Sequence, residues 1–298
     1  MKKFDLEVIV FTNGLRAYAP RRLVEEAKRL KINLRVIEYK DINIIYTTRG
    51  IDINLKGEKM PVARGVFLRG LGEDSIYNST RAAIILWFTS RGSKLLNERS
   101  FDRWPSLDKT TQYINLATAG IPVVESFSFS SKDELEKWSK SAYPYIAKDV
   151  IGSSGIGVFK ISDDLDLFKL LERFNSNYKI KRLIFQRFLP NARDLRVIVM
   201  DSKVVGAMKR IALPGGFLSN YSQGGRVVAY KIEEDPEAKS LALATAKLFK
   251  LDYCGVDLMK NENNKWIVLE VNRACQFEGF EKSTGINVAA AVLDYMVN

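Results

Sequence analysis

Trp266-Ile267-Val268-Leu269-Glu270-Val271-Asn272, read together with Val256-Asp257-Leu258-Met259 upstream, decides how the rest of the chain is understood. The two apolar runs flank Asn263-Asn264, and Asn tolerates the left-handed backbone of a two-residue hairpin loop. A hairpin folded about that pair sets Asp257 opposite Glu270. Side-chain alternation then places Asn272 on the same face. Three oxygen donors converge in this reading, with no cationic side chain among them. Two uncompensated carboxylates on a half-buried sheet are costly, and a hard divalent cation is the usual remedy. Taken alone, the same residues also fit two solvated acids on an edge strand.

The 298 residues, 46% hydrophobic and 27% charged, suit one large domain or two to three small ones. No stretch has a signal-peptide core or membrane-spanning length, since Phe4 to Phe11 is short and carries Asp5 and Glu7. A soluble, cytoplasmic protein is expected. Cys254 and Cys275 form no C-x-x-C pair and are expected to be reduced. Histidine is absent altogether, which excludes Ser-His-Asp and Cys-His catalysis, a histidine acid/base and histidine-ligated zinc. Carboxylates, Lys, Arg, amides and a hard metal remain. The formal charge of +11 points to anionic partners: nucleic acid, polyphosphate, acidic peptides or small polyanions.

From the N-terminus, a strand at Leu6–Phe11, a helix from Pro20 to Leu30 and a strand at Leu34–Tyr39 make a βαβ unit, hence a parallel sheet. A strand at 65–70 and a helix at 75–91 follow. Ser106 reads as the N-cap of a helix through Lys109, Tyr113 and Leu116, ended by Gly120 and Pro122. A short helix covers Asp133 to Ser139. Tyr145 to Ile161 then reads as strand, Gly-Ser turn, strand, with Lys148 leading into Gly152-Ser153-Ser154-Gly155-Ile156-Gly157. Glycines there let backbone amides approach phosphate oxygens, but no Gly-Lys-Ser/Thr follows, so this is not a P-loop. A strand at 183–188 and a hairpin turning at Asp201-Ser202 come next. Phe217 to Ser222, bracketed by glycine pairs, reads as a mobile loop. Asp235-Pro236-Glu237 opens a helix to Phe249, with Leu241, Thr245 and Leu248 on its buried face. A last helix is expected from Gly285 to Met296.

These pieces, in this order, resemble the ATP-grasp ligases of the ribosomal protein S6 glutamate ligase (RimK-like) family over nearly the whole chain. The resemblance rests on Asp108-Lys109, the Lys148–Gly157 strand and loop, Gln186 with Phe188, Asp194-Leu195-Arg196 and Lys209-Arg210. It continues through Ser219-Asn220, Gly224-Gly225, Gly255-Val256-Asp257, Glu270-Val271-Asn272 and the stretch from Glu281 to Ile286. It implies an α/β (α+β) ATP-grasp fold of three domains. A Rossmann-like unit at 1–97 precedes a central lid at 98–187 and a C-terminal domain with the metal site at 188–298. ATP is expected between the antiparallel sheets of the last two.

The resemblance further implies roles for single residues. Lys109 and Lys148 would hold phosphates and the adenine edge, and Gly152 to Gly157, with Ser153, Ser154 and Gly155, would close over the phosphates. Gln186, Arg187 and Phe188 would be the hinge strand reading adenine, Asp194 would sit near the ribose, and Ser219 and Asn220 would join the nucleotide site. Asp257, Glu270 and Asn272 would hold magnesium or manganese. Arg196 and Arg210, with Lys148, would face the γ-phosphate and the acyl phosphate it becomes; Lys209 is a weaker candidate. Arg69 and Asn97 either reach the acceptor pocket from the first domain or are structural, and Cys275 is expected to be a spectator thiol.

Three departures stand out. Arg187 replaces the family's usual glutamate after Gln186, the segment from Gln186 to Asp194 is slightly short, and Arg273-Ala274-Cys275-Gln276-Phe277 replaces a small residue, Ser and Pro-Gly. The implied activity is amide formation between a carboxylate, activated by ATP, and an amine. The acceptor would be an acidic protein tail, a carrier protein or a small polyacid, and the amine an amino acid such as glutamate. Neither a membrane nor nucleic acid is an expected partner, and self-association is compatible. The alternatives are a non-catalytic or phosphotransfer ATP-grasp protein and, further off, a basic nucleic-acid-binding protein.

Overall fold

Consecutive sheets follow the chain, each built from a different stretch, in the computed structural model, which describes residues 4–70, 76–152, 155–191, 193–216, 221 and 224–298. The first is parallel, in the order β2-β1-β6-β7, from β1 (Leu6–Thr12), β2 (Leu34–Glu38), β6 (Ala63–Leu68) and β7 (Lys94–Leu95). Its crossover helices are α1 (Tyr18–Leu30) and α2 (Ile76–Thr89). Val8 to Phe11 are wholly buried, as an unbroken apolar run in a parallel sheet covered on both faces should be. Between β2 and β6 lies an antiparallel sheet absent from the sequence reading: β3 (Ile42–Thr47), β4 (Gly50–Leu55) and β5 (Glu58–Lys59). Its alternating Ile51, Ile53 and Leu55 pack on the core of the first sheet.

The second sheet, in the order β10-β9-β11-β8, is antiparallel: β8 (Ser126–Phe127), β9 (Tyr145–Asp149), β10 (Val158–Ile161) and β11 (Leu183–Arg187). Helices α5 (Lys132–Ala142), α6 (Asp164–Arg173) and α7 (Asn177–Ile180) accompany it. Its core is aromatic, with Trp138 4.8 Å from Tyr145 and 6.1 Å from Phe185, centroid to centroid. Before it come α3 (Glu98–Arg103) and α4 (Lys109–Thr118). The expected cap of α4 at Ser106 moves to Asp108, whose carboxylate accepts from Thr111 N–H at 2.8 Å. Aspartate, two residues closer to the first turn, competes better for that amide. Gly120 takes the left-handed conformation expected of it, φ +68°. Although α4 precedes the second sheet in sequence, its Leu116 packs into the core of the third.

That third sheet is antiparallel, in the order β14-β13-β12-β15-β16: β12 (Arg193–Met200), β13 (Lys203–Ile211), β14 (Arg226–Tyr230), β15 (Tyr253–Lys260) and β16 (Trp266–Asn272). The β12–β13 turn falls at Asp201 and Ser202, both at positive φ, as expected. Helix α8 (Pro236–Leu248) covers one face through Ala238, Ala242, Thr245 and Ala246, with Leu241 and Leu248 at its margins. The expected single last helix is two, α9 (Glu278–Thr284) and α10 (Val288–Val297), because Gly285 ends the first in a left-handed conformation, φ +71°, instead of starting the second. α10 returns to the first sheet. Val292, Leu293 and Met296 share a core with Val8, Val10 and Leu23, and also with Ile198 and Tyr253 of the third sheet. A side chain at Gly65 would come within 2.7 Å of Met296 Cβ, so glycine permits this close packing. The first and third sheets are thereby joined by one hydrophobic core. No helix among the described residues is long and apolar enough to cross a membrane.

Candidate active site

Asp257 and Glu270 do stand opposite each other, but by a different route from the one expected. The hairpin turns over Asn261 to Lys265, where the Asn261 carboxamide oxygen accepts from the N–H groups of Asn263 and Lys265, and Asn264 alone has positive φ, +59°. That wider turn pairs Lys260 with Trp266 and Leu258 with Val268, one residue out of the required register. An extra residue at Leu269 then corrects it. This is a β-bulge. The Leu269 carbonyl accepts from Tyr113 Oη at 2.7 Å, and Val271 N–H donates to Gln112 Oε1 at 2.8 Å. Helix α4 thus clamps the bulge that aims Glu270. Because the bulge puts two successive side chains on one side, Leu269 and Glu270 both face the same cavity.

The expectation that no cation stands among the three oxygen donors is overturned. Arg196 lies directly opposite Asp257 on β12 and holds it with two hydrogen bonds of 2.7 Å, from Nε and Nη2. Arg210, opposite Asp194, donates to Asp194 Oδ1 at 2.5 Å and reaches Asp257 Oδ2 at 2.9 Å. Period-two alternation on β12 and β13 assembles this set, with Asp194, Arg210 and Asp257 buried and Arg196 largely so. Burial opposes ionisation of Asp257, yet the two guanidiniums outweigh it and hold its carboxyl below the usual carboxylate range. Burial likewise pulls on Arg196 and Arg210, and the carboxylates reverse it, leaving both more firmly protonated than usual. Asp194, expected near a ribose, has a guanidinium as its partner. Lys209 faces the other side of β13, with its ammonium 5.2 Å from the Tyr230 ring centroid.

Two cavities meet over this floor. The smaller, about 130 Å³, lies between the second and third sheets, lined by Ile146, Lys148, Val158, Gln186, Arg187 and Phe188 above and Asp194, Met259, Leu269 and Glu270 below. The larger, about 600 Å³, runs between the third sheet and the first, past Arg196, Asn272, Cys275 and Gln276 to Arg69 and Gly70. Lys109, Gly152, Arg210, Asp257 and Glu270 line both. Burial pushes the Lys148 ammonium down to about 8, against the pull of Glu270. Lys109 donates from Nζ to the Gly152 carbonyl, tying α4 to the glycine loop.

The glycines of that loop are required by the loop itself. A Cβ at Gly152 would lie 2.4 Å from the Ile156 carbonyl oxygen, and one at Gly157, φ +79°, would lie 3.0 Å from Asp149 Cβ. Gly152 and Gly155 line the smaller cavity; Gly157 does not. Ser153, Ser154, Ser219 and Asn220, and with them the expected loop from Phe217 to Ser222 apart from Tyr221, lie outside the described residues. Gln186 is buried and donates to Ser126 Oγ at 2.8 Å. The Arg187 guanidinium turns outward to Glu262, 3.5 Å away on the β15–β16 turn.

Of the first-domain candidates, Asn97 is structural. Its carboxamide, fully buried, donates to the carbonyls of Tyr253 and Arg273 and accepts from Asp252 and Tyr253 N–H. Arg69 instead enters the larger cavity. Arg273 is anchored by the Trp104 carbonyl at 2.8 Å and lies 4.2 Å from the Phe101 ring centroid. Cys254 and Cys275 are both buried thiols, and burial raises each above its usual range, which suits spectators. Tyr113 and Gln112, which hold the bulge, carried no signal in the sequence beyond their helical spacing.

The floor also offers a place for a hard cation. Glu270 and Asn272 are half-buried and have no side-chain hydrogen bond or ion pair among the described residues, with Asp257 beside them. Among the described residues no three His, Cys, Asp or Glu side chains cluster as a complete cage. One or two carboxylates and an amide, completed by oxygens of a ligand, is the donor set magnesium takes when it carries phosphates. The residues fit such an ion.

Comparison with known proteins bears on this geometry. Residues 106–296 match the RimK-like ATP-grasp domain. The chain is 31% identical to a probable alpha-L-glutamate ligase of Shewanella amazonensis, over 98% of its own length and 95% of the relative's. It is 28% identical to a probable alpha-L-glutamate ligase of Hydrogenovibrio crunogenus, with the same coverage. Among solved structures, the ATP-grasp ligase PsnB complexed with minimal precursor superimposes with a TM-score of 0.74 at 20% identity, over 98% of both chains. The macrocyclase MdnC of Microcystis aeruginosa, bound with precursor peptide MdnA, gives 0.71 at 15% identity, over 98% of this chain and all of that one. At such identities these two structures speak for the fold alone.

Proposed function

We propose, because this chain belongs to the RimK-like ATP-grasp family and is an ATP-dependent carboxylate–amine ligase, that it joins an amino acid through its amine to a carboxylate on an acidic protein tail, carrier or small polyacid. The observation that carries this reading is the meeting of two cavities across Lys109, Gly152, Arg210, Asp257 and Glu270. The smaller is apolar towards Ile146 and Phe188 and cationic at Lys148, which suits a nucleotide whose phosphates point at the shared wall. The larger then receives the acid and the amine.

In the first step an acceptor carboxylate oxygen attacks the γ-phosphorus and the bond to ADP breaks. In the second the amine attacks the acyl carbon, phosphate departs with the electron pair of the C–O bond, and the surplus amine proton leaves with it. Both steps bring anions together, so alignment and charge neutralisation matter more than an acid or base. Lys148 and Lys109 hold the phosphates. Arg196 and Arg210, kept in place by Asp257 and Asp194, face the transferring phosphoryl group. Magnesium held by Glu270 and Asn272, with Asp257 beside them, would supply further neutralisation of phosphate charge. The absence of histidine is no obstacle to this chemistry, and the +11 charge suits two anionic substrates. A cytoplasmic location follows from the supply of ATP.

The test is release of ADP in the presence of magnesium, screened over amino acids against acidic peptides, carrier proteins and small polyacids, with products weighed by mass spectrometry. The expected product is heavier than the acceptor by one or more dehydrated amino acids. ADP without any amide would overturn the ligation and favour phosphotransfer. Glu270→Ala should lower turnover at least a hundredfold, about 3 kcal/mol of transition-state stabilisation, without changing the fold. Near-normal product from that variant would reject Glu270 as a site residue.

A further inference from the structure

We infer that Arg69 selects the amine-bearing substrate by taking its free carboxylate, so that the amine comes from a free amino acid and not from a peptide side chain. This rests on the ligase reading above and assigns one end of the larger cavity. Arg69 follows β6 directly. In the sheet order β2-β1-β6-β7 the direction of winding reverses between β1 and β6, and open α/β sheets bind ligands outside the carboxyl ends of their strands at such a point.

Among the described residues the side chain has a donor to spare. Arg69 is 3% exposed, and its Nη1 has no hydrogen-bond partner among the described residues. Its Nη2 makes two long contacts of 3.3 Å, to the Cys275 carbonyl and Gln276 Oε1, both neutral. The guanidinium lies 5.1 Å from the Phe67 ring centroid and 5.7 Å from that of Phe277, which fix its plane. No carboxylate pairs with it among the described residues. A buried cation without counter-charge is costly, and a planar guanidinium is the side chain best shaped for a carboxylate.

The position identifies which substrate it meets. Arg69 lines one end of the larger cavity beside the Cys275 carbonyl, and Arg196 and Arg210 line it beside Asp257. In the proposed reaction the carboxylate that is phosphorylated lies over Arg196 and Arg210, which leaves Arg69 for a second one. An amino acid that reacts through its amine keeps its α-carboxylate free, and that is the anion a planar guanidinium at this end of the cavity can take.

The experiment is equilibrium binding to the full chain with magnesium and ADP present. L-glutamate and the other common amino acids serve as probes, and the best binder is compared with its own α-carboxamide. Wild type should lose at least tenfold in affinity when the α-carboxylate becomes an amide, and Arg69→Gln should lose less than twofold for the same change. In turnover, Arg69→Gln should raise KM for the amino acid at least tenfold and leave KM for ATP within twofold. Arg69→Lys, which keeps the charge, should recover part of the loss, and ADP affinity reports that each variant is folded. Equal sensitivity of wild type and Arg69→Gln to the amide, or no amino acid binding by wild type, overturns the assignment. Carboxylate-dependent binding without any amide product would instead sink the ligase reading and leave Arg69 standing.

Discussion

The floor shared by the two cavities and the first-domain wall of the larger one both carry buried guanidiniums, and they hold them in opposite ways. On the floor, Arg196 and Arg210 are locked by Asp257 and Asp194 at 2.5 to 2.9 Å. At the wall, Arg69 has aromatic faces and neutral oxygens only, among the described residues. Cations fixed by the protein's own carboxylates are in position before any ligand arrives, and donors that need no reorganisation are the effective ones for developing phosphate charge. A cation lacking its anion contributes most once a ligand supplies one. Under the proposed function the floor serves the chemistry and the wall the choice of substrate.

The largest effect should come from breaking the floor. Arg210→Met takes the guanidinium from Asp194 and one of two from Asp257, leaving carboxylates buried without it. The expected cost is about 3–5 kcal/mol of folding stability, measured by urea unfolding. The second substitution Asp194→Leu should return part of it, since replacing both partners also removes the carboxylate that lost its guanidinium. If Arg210→Met unfolds within about 1 kcal/mol of wild type, the floor is not the locked set described, and its contrast with Arg69 disappears.

How far the sequence revealed these two regions follows from the same physics. Period-two alternation exposed the β15–β16 hairpin and the facing of Asp257, Glu270 and Asn272. It could not reveal the bulge at Leu269, because the clamp on it comes from Tyr113 and Gln112 about 156 residues away. The proper register came from an assumed turn that the chain does not make, rescued by a bulge that the reading did not contain. The Arg partners of Asp257 were also visible one by one, but cross-strand pairing between β12, β13 and β15 depends on sheet order, which local pattern does not carry. The β3–β5 sheet was passed over although Ile51, Ile53 and Leu55 alternate. Arg69 ends a strand like many structural residues. Only the arrival of Phe277 and Cys275 from the far end of the chain makes it distinctive.

A smaller effect separates the two cavities by pH. The floor guanidiniums stay charged at any working pH, whereas burial brings the Lys148 ammonium down to about 8. In the proposed function its cationic form binds phosphate, and that form is lost as pH rises through the pKa. kcat/KM for ATP should therefore be level below about pH 8 and fall about tenfold per unit above it. Lys148→Arg, if it retains turnover, should show no such fall, because guanidinium does not titrate there. A falling limb that survives in Lys148→Arg would assign the titration to another group. The carboxamide dependence at Arg69 should be level over the same range.

The smallest effect is expected where this chain departs from its family in the smaller cavity. Arg187 stands where a glutamate is usual, and one reading is that the nucleotide's amino group meets a repelling charge. The geometry argues otherwise. The Arg187 side chain is 61% exposed, at the rim of the smaller cavity, and pairs with Glu262 at 3.5 Å on the β15–β16 turn. An exposed pair of that kind contributes about 0–1 kcal/mol. Arg187→Ala should consequently leave unfolding unchanged within about 1 kcal/mol and move KM for ATP less than about threefold. Arg187→Glu sets two acids side by side at Glu262 and should cost slightly more, in a manner that salt screens. A tenfold change in KM for ATP on Arg187→Ala would mean that the guanidinium swings inward when nucleotide binds. The cavity would then owe part of its selectivity to a movable charge, and the division between a fixed floor and a selective wall would have to be redrawn.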